Sequence, residues 1–182
     1  MTHLCPWWLT YTFDNPLRRL LHDPARILGP HLRPGMRAAD IGCGMGYFTA
    51  ALARLVGPGG RVQAVDLQPE QLARVARRAA RAGVAERVEC LRASPERLGL
   101  QGPLDFALAF WMVHEVPEQD RFFAELAAAL APAGRVLVAE PRLHVDRAKF
   151  ERGLAAAARQ GLVARPLDGI RLSRAALLGR PG

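Results

Sequence analysis

A chain of 182 residues is long enough for one domain with a substantial core. Its formal net charge of +8 invites a polyanion, but Lys149 is the one lysine and alanine crowds the chain, so we read the arginine excess as compositional bias ahead of a selected basic surface. Cys5, Cys43 and Cys90 lie without CxxC spacing, which argues against a disulfide framework or zinc site, and the apolar run at 106–113 is far short of the roughly 18 residues of a membrane span.

In chain order, the first segment has no basic residue ahead of its first apolar ones and no signal-type core, so the expectation is a cytoplasmic protein. Cys5-Pro6-Trp7-Trp8 marks an ordered arm whose aromatic residues either staple it to the core or roof a pocket. Asp14-Asn15-Pro16 is a helix start, and Leu17, Leu20, Leu21, Ile27 and Leu28 supply an apolar face that Pro24 interrupts. After Pro34-Gly35 comes the stretch that organises the rest, 38–46, reading as a buried strand, a glycine-dense turn and a helix entry. Gly42, Gly44 and Gly46 allow positive φ and close approach of a ligand. Tyr47 to Val56 is predicted helical, with Gly57 closing it.

The glycine spacing excludes two common nucleotide loops. A dinucleotide fingerprint begun at Gly42 meets Tyr47 where it needs glycine, one begun at Gly44 meets Thr49, and no Gly-Lys-Ser/Thr ending follows. The second strand, 61–66, ends in Asp66, whose carboxylate can accept bonds from both hydroxyls of a ribose.

Pro69 to Ala82 is predicted as a helix with Leu72, Val75, Ala76 and Ala79 facing the core and Arg74, Arg77, Arg78 and Arg81 as a basic stripe, more readily a solvated face than a nucleic-acid site. A third strand is expected at 87–91, with apolar Val88 and Cys90 alternating. The nearly all-apolar 104–110 is expected to be a central fourth strand buried on both faces. A helix over 117–130 with Phe122, Phe123, Leu126 and Leu130 inward leads through Pro132 and Gly134 to a fifth strand, 135–140. A helix at 146–160 and a hairpin of 162–164 with 173–178 complete an alternating α/β pattern.

Asp40-Ile41-Gly42-Cys43-Gly44-Met45-Gly46, with Asp66 twenty residues further on, resembles the first two motifs of class I S-adenosylmethionine-dependent methyltransferases. The resemblance continues through Leu104-Asp105-Phe106, Val113-His114-Glu115-Val116-Pro117 and the stretch 130–141, covering the chain from about Pro34 onward. It implies an α/β fold, a doubly wound seven-stranded, mostly parallel sheet with the last strand antiparallel. Residues 34–182 would form the S-adenosylmethionine-binding domain, with 1–33 as an arm and helix contributing to the pocket.

Ligands of open α/β sheets sit beyond the strands' carboxyl ends, which selects the residues following Asp40, Asp66, Leu91, Phe110 and Glu140. By resemblance, Gly42 and Gly44 face the methionine part of S-adenosylmethionine, Asp66 the ribose, Leu67 the adenine face, and Phe110 the amino group through its carbonyl, with Asp40 and Cys43 also among the cofactor-binding residues. Ser94 stands where many relatives carry an aspartate for the adenine amino group, so that contact would be uncharged. The acceptor pocket is expected from Trp7, Trp8, Trp111, Met112 and Glu115. His114 is a candidate general base, because histidine titrates near working pH, or else a loop cap; His144 is a lesser candidate.

Absent motifs set subclasses aside. Phe110-Trp111-Met112 replaces the acidic ligand of metal-dependent catechol-type enzymes, so no metal is expected. No Asn/Asp-Pro-Pro-Tyr follows the fourth strand, one lysine precludes a Lys-Asp-Lys-Glu tetrad, and Cys43 and Cys90 are expected to be interior rather than presented to an arsenic substrate. The function expected is methyl transfer from S-adenosylmethionine to a small-molecule acceptor, without membrane association. The alternatives are an RNA or protein methyltransferase using the basic surface, and a non-catalytic S-adenosylmethionine-binding protein.

Overall fold

The computed structural model describes residues 20–181, so Trp7, Trp8 and the helix start at Asp14 to Pro16 lie outside the described residues. Its strands are β1 (Arg37–Ile41), β2 (Arg61–Asp66), β3 (Val88–Arg92), β4 (Leu104–Phe110), β5 (Leu130–Pro141), β6 (Val163–Pro166) and β7 (Ser173–Gly179). They form one sheet in the order β3-β2-β1-β4-β5-β7-β6. The pairings from β3 through β5 are parallel, and β7 runs antiparallel to both β5 and β6. The helices are α1 (Pro24–Leu28), α2 (Tyr47–Leu55), α3 (Pro69–Arg81), α4 (Gln119–Ala129) and α5 (Arg147–Arg159).

Strand periodicity divides the core in two. In β4, Phe106, Leu108 and Phe110 point to one face and pack with Leu28, Phe48 and Leu52 of α1 and α2. Ala107 and Ala109 point to the other, against Phe123 and Leu126 of α4 and Ala157 of α5. The continuous apolar run at 104–110 is therefore what a strand covered on both sides requires. Phe106 and Phe123 are wholly buried, each contributing about 1.5–3 kcal/mol through removal from water.

Local chemistry sets the helix limits. Asp23 caps α1 by accepting from Ala25 N–H, and Asp146 caps α5 by accepting from Lys149 N–H at 2.6 Å. Gly57 (φ 67°) and Gly83 (φ 66°) follow α2 and α3 in the left-handed conformation that ends a helix.

Four expectations need correction. Leu20 is 75% exposed and not part of an apolar helix face. Ala76 is exposed, while Arg74 and Arg78 are half-buried, so the stripe on α3 is not one solvated face: Arg74 reaches Met45 Sδ at 3.4 Å. Cys90 is exposed, because β3 is an edge strand of the sheet and pairs with β2 alone. The fifth strand starts earlier than Arg135, at Leu130, which pairs with Leu104 before the register shifts near Phe106. Gly134 lets the two strands approach there, since a Cβ would lie 2.5 Å from the Leu104 carbonyl oxygen.

Candidate active site

The chain runs outward from β1 through β2 to β3, then crosses to β4 on β1's other side, so connections leave β1 and β4 in opposite directions. A crevice opens at that divergence beyond the strands' carboxyl ends. It is a cleft of about 480 Å³. Asp40, Gly42, Cys43, Gly44, Asp66, Leu67, Ser94, Phe110, Trp111, Met112, Glu115, His114 and His144 all line it, which brings together every predicted site residue among the described residues.

One half of the cleft is built from backbone. Gly42 and Cys43 N–H groups both donate to the Val65 carbonyl, at 2.8 and 3.1 Å, tying the loop to the end of β2. At Gly46 (φ 76°) a Cβ would lie 3.2 Å from Val75 Cα, so glycine is required both by conformation and by the approach of α3. Gly44 (φ 50°) is different: a Cβ there would meet nothing within 4 Å. Its N–H donates to Asp66 Oδ2 at 3.0 Å, and Gln68 N–H donates to Oδ1 at 3.0 Å. These two bonds hold the Asp66 carboxylate in one orientation with lone pairs to spare. Burial pushes the Asp66 carboxyl above the usual carboxylate range, and the N–H groups of Gln68 and Gly44 draw it partly back.

Asp40 is buried and accepts from Thr49 Oγ1 at 2.5 Å, fixing the start of α2 against the end of β1. Burial, reinforced by Asp40 and Asp66, raises the Cys43 thiol well above its usual range, which keeps it protonated and unreactive. Ser94 is exposed and accepts from Glu96 N–H at 3.3 Å in a short turn.

The other half is built from long-range side-chain contacts. After β4 the chain turns sharply at Trp111, which takes φ 60°, a conformation costly for a bulky L-residue. Trp111 N–H donates to the Ala139 carbonyl at 2.7 Å, and its indole N–H donates to Ser173 Oγ at 2.9 Å. His22, itself buried, packs edge-on against both Phe110 and Trp111 and contacts the Arg171 carbonyl through Nε2 at 2.8 Å. The next residue, Met112, covers the loop: a Cβ on Gly42 would lie 2.9 Å from Met112 Cβ and Cγ.

A 3-10 turn, Val113–Glu115, presents His114. It is held by Val113 N–H donating to Glu140 Oε1 at 2.9 Å and by Gln119 Nε2 donating to the Val113 carbonyl at 3.0 Å. His114 Nδ1 lies 2.5 Å from Glu140 Oε2, and Nε2 lies 3.9 Å from Glu115 Oε1. The His144 ring lies parallel to the His114 ring, 6.4 Å away, on the chain just beyond β5. Glu140 was placed by the sequence at the carboxyl end of a strand but given no partner; its signal is a lone carboxylate closing the apolar run 136–139. His22 gave no local signal, since its contacts are made across the whole chain.

A family model described as a methyltransferase domain matches residues 38–134. The chain belongs to that family. Among curated proteins, it is 33% identical over 138 residues to a ubiquinone biosynthesis O-methyltransferase of Xanthomonas axonopodis pv. citri, covering 72% of this chain and 54% of that one. It is 29% identical over 110 residues to a demethylmenaquinone methyltransferase of Bacillus cytotoxicus, covering 60% and 46%. The chain thus spans about half the length of these relatives. Among solved structures, a SAM-dependent methyltransferase from Aquifex aeolicus superposes with a TM-score of 0.84 over 96% of this chain and 98% of that one, at 23% identity. That likeness extends the family fold past the matched segment, through β6 and β7. Among the described residues, no group of three or more His, Cys, Asp or Glu could hold a metal ion, and no helix is long and apolar enough to cross a membrane.

Proposed function

We propose that this chain transfers a methyl group from S-adenosylmethionine to an O–H, N–H or S–H group of a small acceptor, with His114 taking the acceptor's proton. The carrying observation is one cleft lined at one end by Gly44 and Asp66 and at the other by Trp111, Met112 and His114. The residues fit the cofactor. Asp66 is held by one N–H on each oxygen and is short of hydration, so ribose hydroxyls would favour its ionised form. Gly44 leaves open the space that a side chain would fill.

When bound, the sulfonium supplies an electrophilic methyl group open to in-line attack. The protein's part is then alignment, exclusion of water and removal of one proton. Glu140 engages Nδ1 of His114, which leaves Nε2 on the opposite edge of the ring to accept that proton. Trp111, Met112 and Glu115 line the acceptor end, and we assign them to the pocket together with Trp7 and Trp8. The contacts of His22 with Phe110 and Trp111 bring the chain following the arm up against this end, while residues 20–33 themselves do not line the cleft.

The small acceptor is favoured over RNA because Arg74 and Arg78 are half-buried, leaving only part of the stripe on α3 displayed. The deciding experiment is incubation of metabolite pools, and separately of mixed RNA at low and physiological salt, with isotopically labelled methyl donor. Label in a small product supports the reading. Label in RNA, with binding that persists at physiological salt and is lost when the four arginines become glutamine, overturns it. Binding of the methyl donor without turnover in any pool would point to a non-catalytic binding protein.

A further inference from the structure

The buried carboxylate of Glu140 does more than pin the loop. It is 3% exposed, in an otherwise apolar stretch of β5, and a charge in that position needs donors on both oxygens. Oε1 accepts the Val113 N–H and Oε2 meets His114 Nδ1. An amide would satisfy the Val113 N–H equally well without bringing a charge into the interior. What only a carboxylate provides is acceptance on both sides, because an ionised carboxylate has no hydrogen to give.

Two further features make the arrangement specific. Val113 and His114 are consecutive, so one carboxylate holds the backbone of the first and the ring of the second. The ring cannot turn over without breaking a bond. The groups facing the imidazole from elsewhere are Glu115 on the Nε2 side and His144, parallel to it at 6.4 Å. Behind the pair lies a cavity of about 20 Å³ walled mostly by apolar residues such as Phe123, Val138 and Phe150, with Gln119 and Lys149 also on its lining.

We propose that Glu140 is a positioning residue that accepts the Nδ1 proton of His114 and so fixes the ring in the tautomer whose Nε2 lone pair faces the acceptor end of the cleft. The inference deepens the reading of His114 as the base, on which its catalytic consequence rests. Carboxylate and imidazole exchange no proton in this scheme: Nδ1 keeps its hydrogen, and Nε2 receives one from the acceptor as the methyl group is transferred.

The test combines nitrogen-detected NMR of the histidine rings in the full chain with kinetics of Glu140→Gln. A glutamine can still accept from Val113 N–H through its oxygen, while its NH₂ must donate to Nδ1 and so force the hydrogen onto Nε2. We expect the Nδ1–H tautomer in the parent protein and Nε2–H in the variant. With thermal stability and cofactor affinity retained, turnover should fall by roughly 10²–10⁴-fold, the range over which positioned proton transfer acts. An Nε2–H tautomer in the parent protein would overturn the proposal, and that spectrum decides even if the variant fails to fold. A variant that keeps Nδ1–H would overturn it too. A tautomer switch with unchanged turnover would uphold the positioning by Glu140 and remove His114 from the role of base, which separates the two claims.

Discussion

The two ends of the cleft are built on different principles. At the β1 and β2 end, the parts that matter are the backbone N–H groups of one glycine turn and a carboxylate that accepts from Gln68, two residues on, and from Gly44, 22 residues back across the adjacent strand. At the β4 and β5 end, side chains are held by partners far away in the chain: Trp111 by Ser173, 62 residues on, His114 by Glu140, 26 on, and His22 by the Arg171 carbonyl, 149 on. The first end needs only two adjacent parallel strands and the turns that follow them. The second exists only when the sheet is complete, so it is the end whose chemistry can vary while the fold stays fixed.

That contrast can be broken first at Gly44. Gly44→Val should abolish measurable cofactor binding, since the side chain would enter the open space of the cleft. The positive φ should cost about 1–2 kcal/mol of stability besides. Calorimetry and thermal unfolding measured together check this, and near-normal binding would place the cofactor elsewhere.

Asp66→Ala should weaken cofactor binding by roughly 1.5–3 kcal/mol, the worth of hydrogen bonds to a charged acceptor. The pH dependence has a definite sign. Burial raises the free Asp66 carboxyl, and hydroxyl donors would lower it again on binding, so affinity should be lost as pH falls through the raised carboxylate range. The alanine variant should lose that dependence, and titrations at several pH values would show it.

At the other end, Trp111→Phe should keep cofactor affinity while removing the indole bond to Ser173 Oγ. The expected loss is about 1 kcal/mol of stability by denaturant unfolding, with turnover falling through displacement of the loop. Deleting Met1 to Thr10 should likewise lower turnover more than cofactor affinity; equal loss of folding and binding would make the arm a core staple instead. Full activity should survive a strong chelator, because Phe110, Trp111 and Met112 offer no carboxylate after β4. Activity lost to chelator and restored by magnesium would refute that.

The smallest effect is expected at Arg77 and Arg81, the exposed pair of the α3 stripe. Changing both to glutamine should leave transfer to a small acceptor unaltered and its salt response weak. A large change in either would bring the polyanion reading back.

Much of this molecule was legible residue by residue. The alternation of apolar runs with amphipathic helices follows from periods of two and 3.6, and the order of motifs in the family carried the sheet topology with it. Errors fell where burial depends on neighbours: Cys90 has the apolar pattern of an interior strand but sits on an edge, and Ala76 is apolar yet exposed. The start of β5 was missed because Pro132 and Gly134 read as a turn, whereas the shifted pairing with β4 accommodates them within the strand.

By itself the sequence determined which residues close the β1 and β2 end, because a glycine turn and a strand-end carboxylate are legible at the ends of two successive strands; the bond from Gly44 N–H to Asp66 then follows from those strands lying side by side. Only the tertiary structure decided the β4 and β5 end. Which carboxylate meets His114, which hydroxyl holds Trp111 and what packs on Phe110 depend on strands β4, β5 and β7 lying side by side and on the 20–33 segment folding back across them. Those contacts join residues whose sequence separation carries no periodic signal, and a buried polar group chooses its partner only once water has been excluded around it.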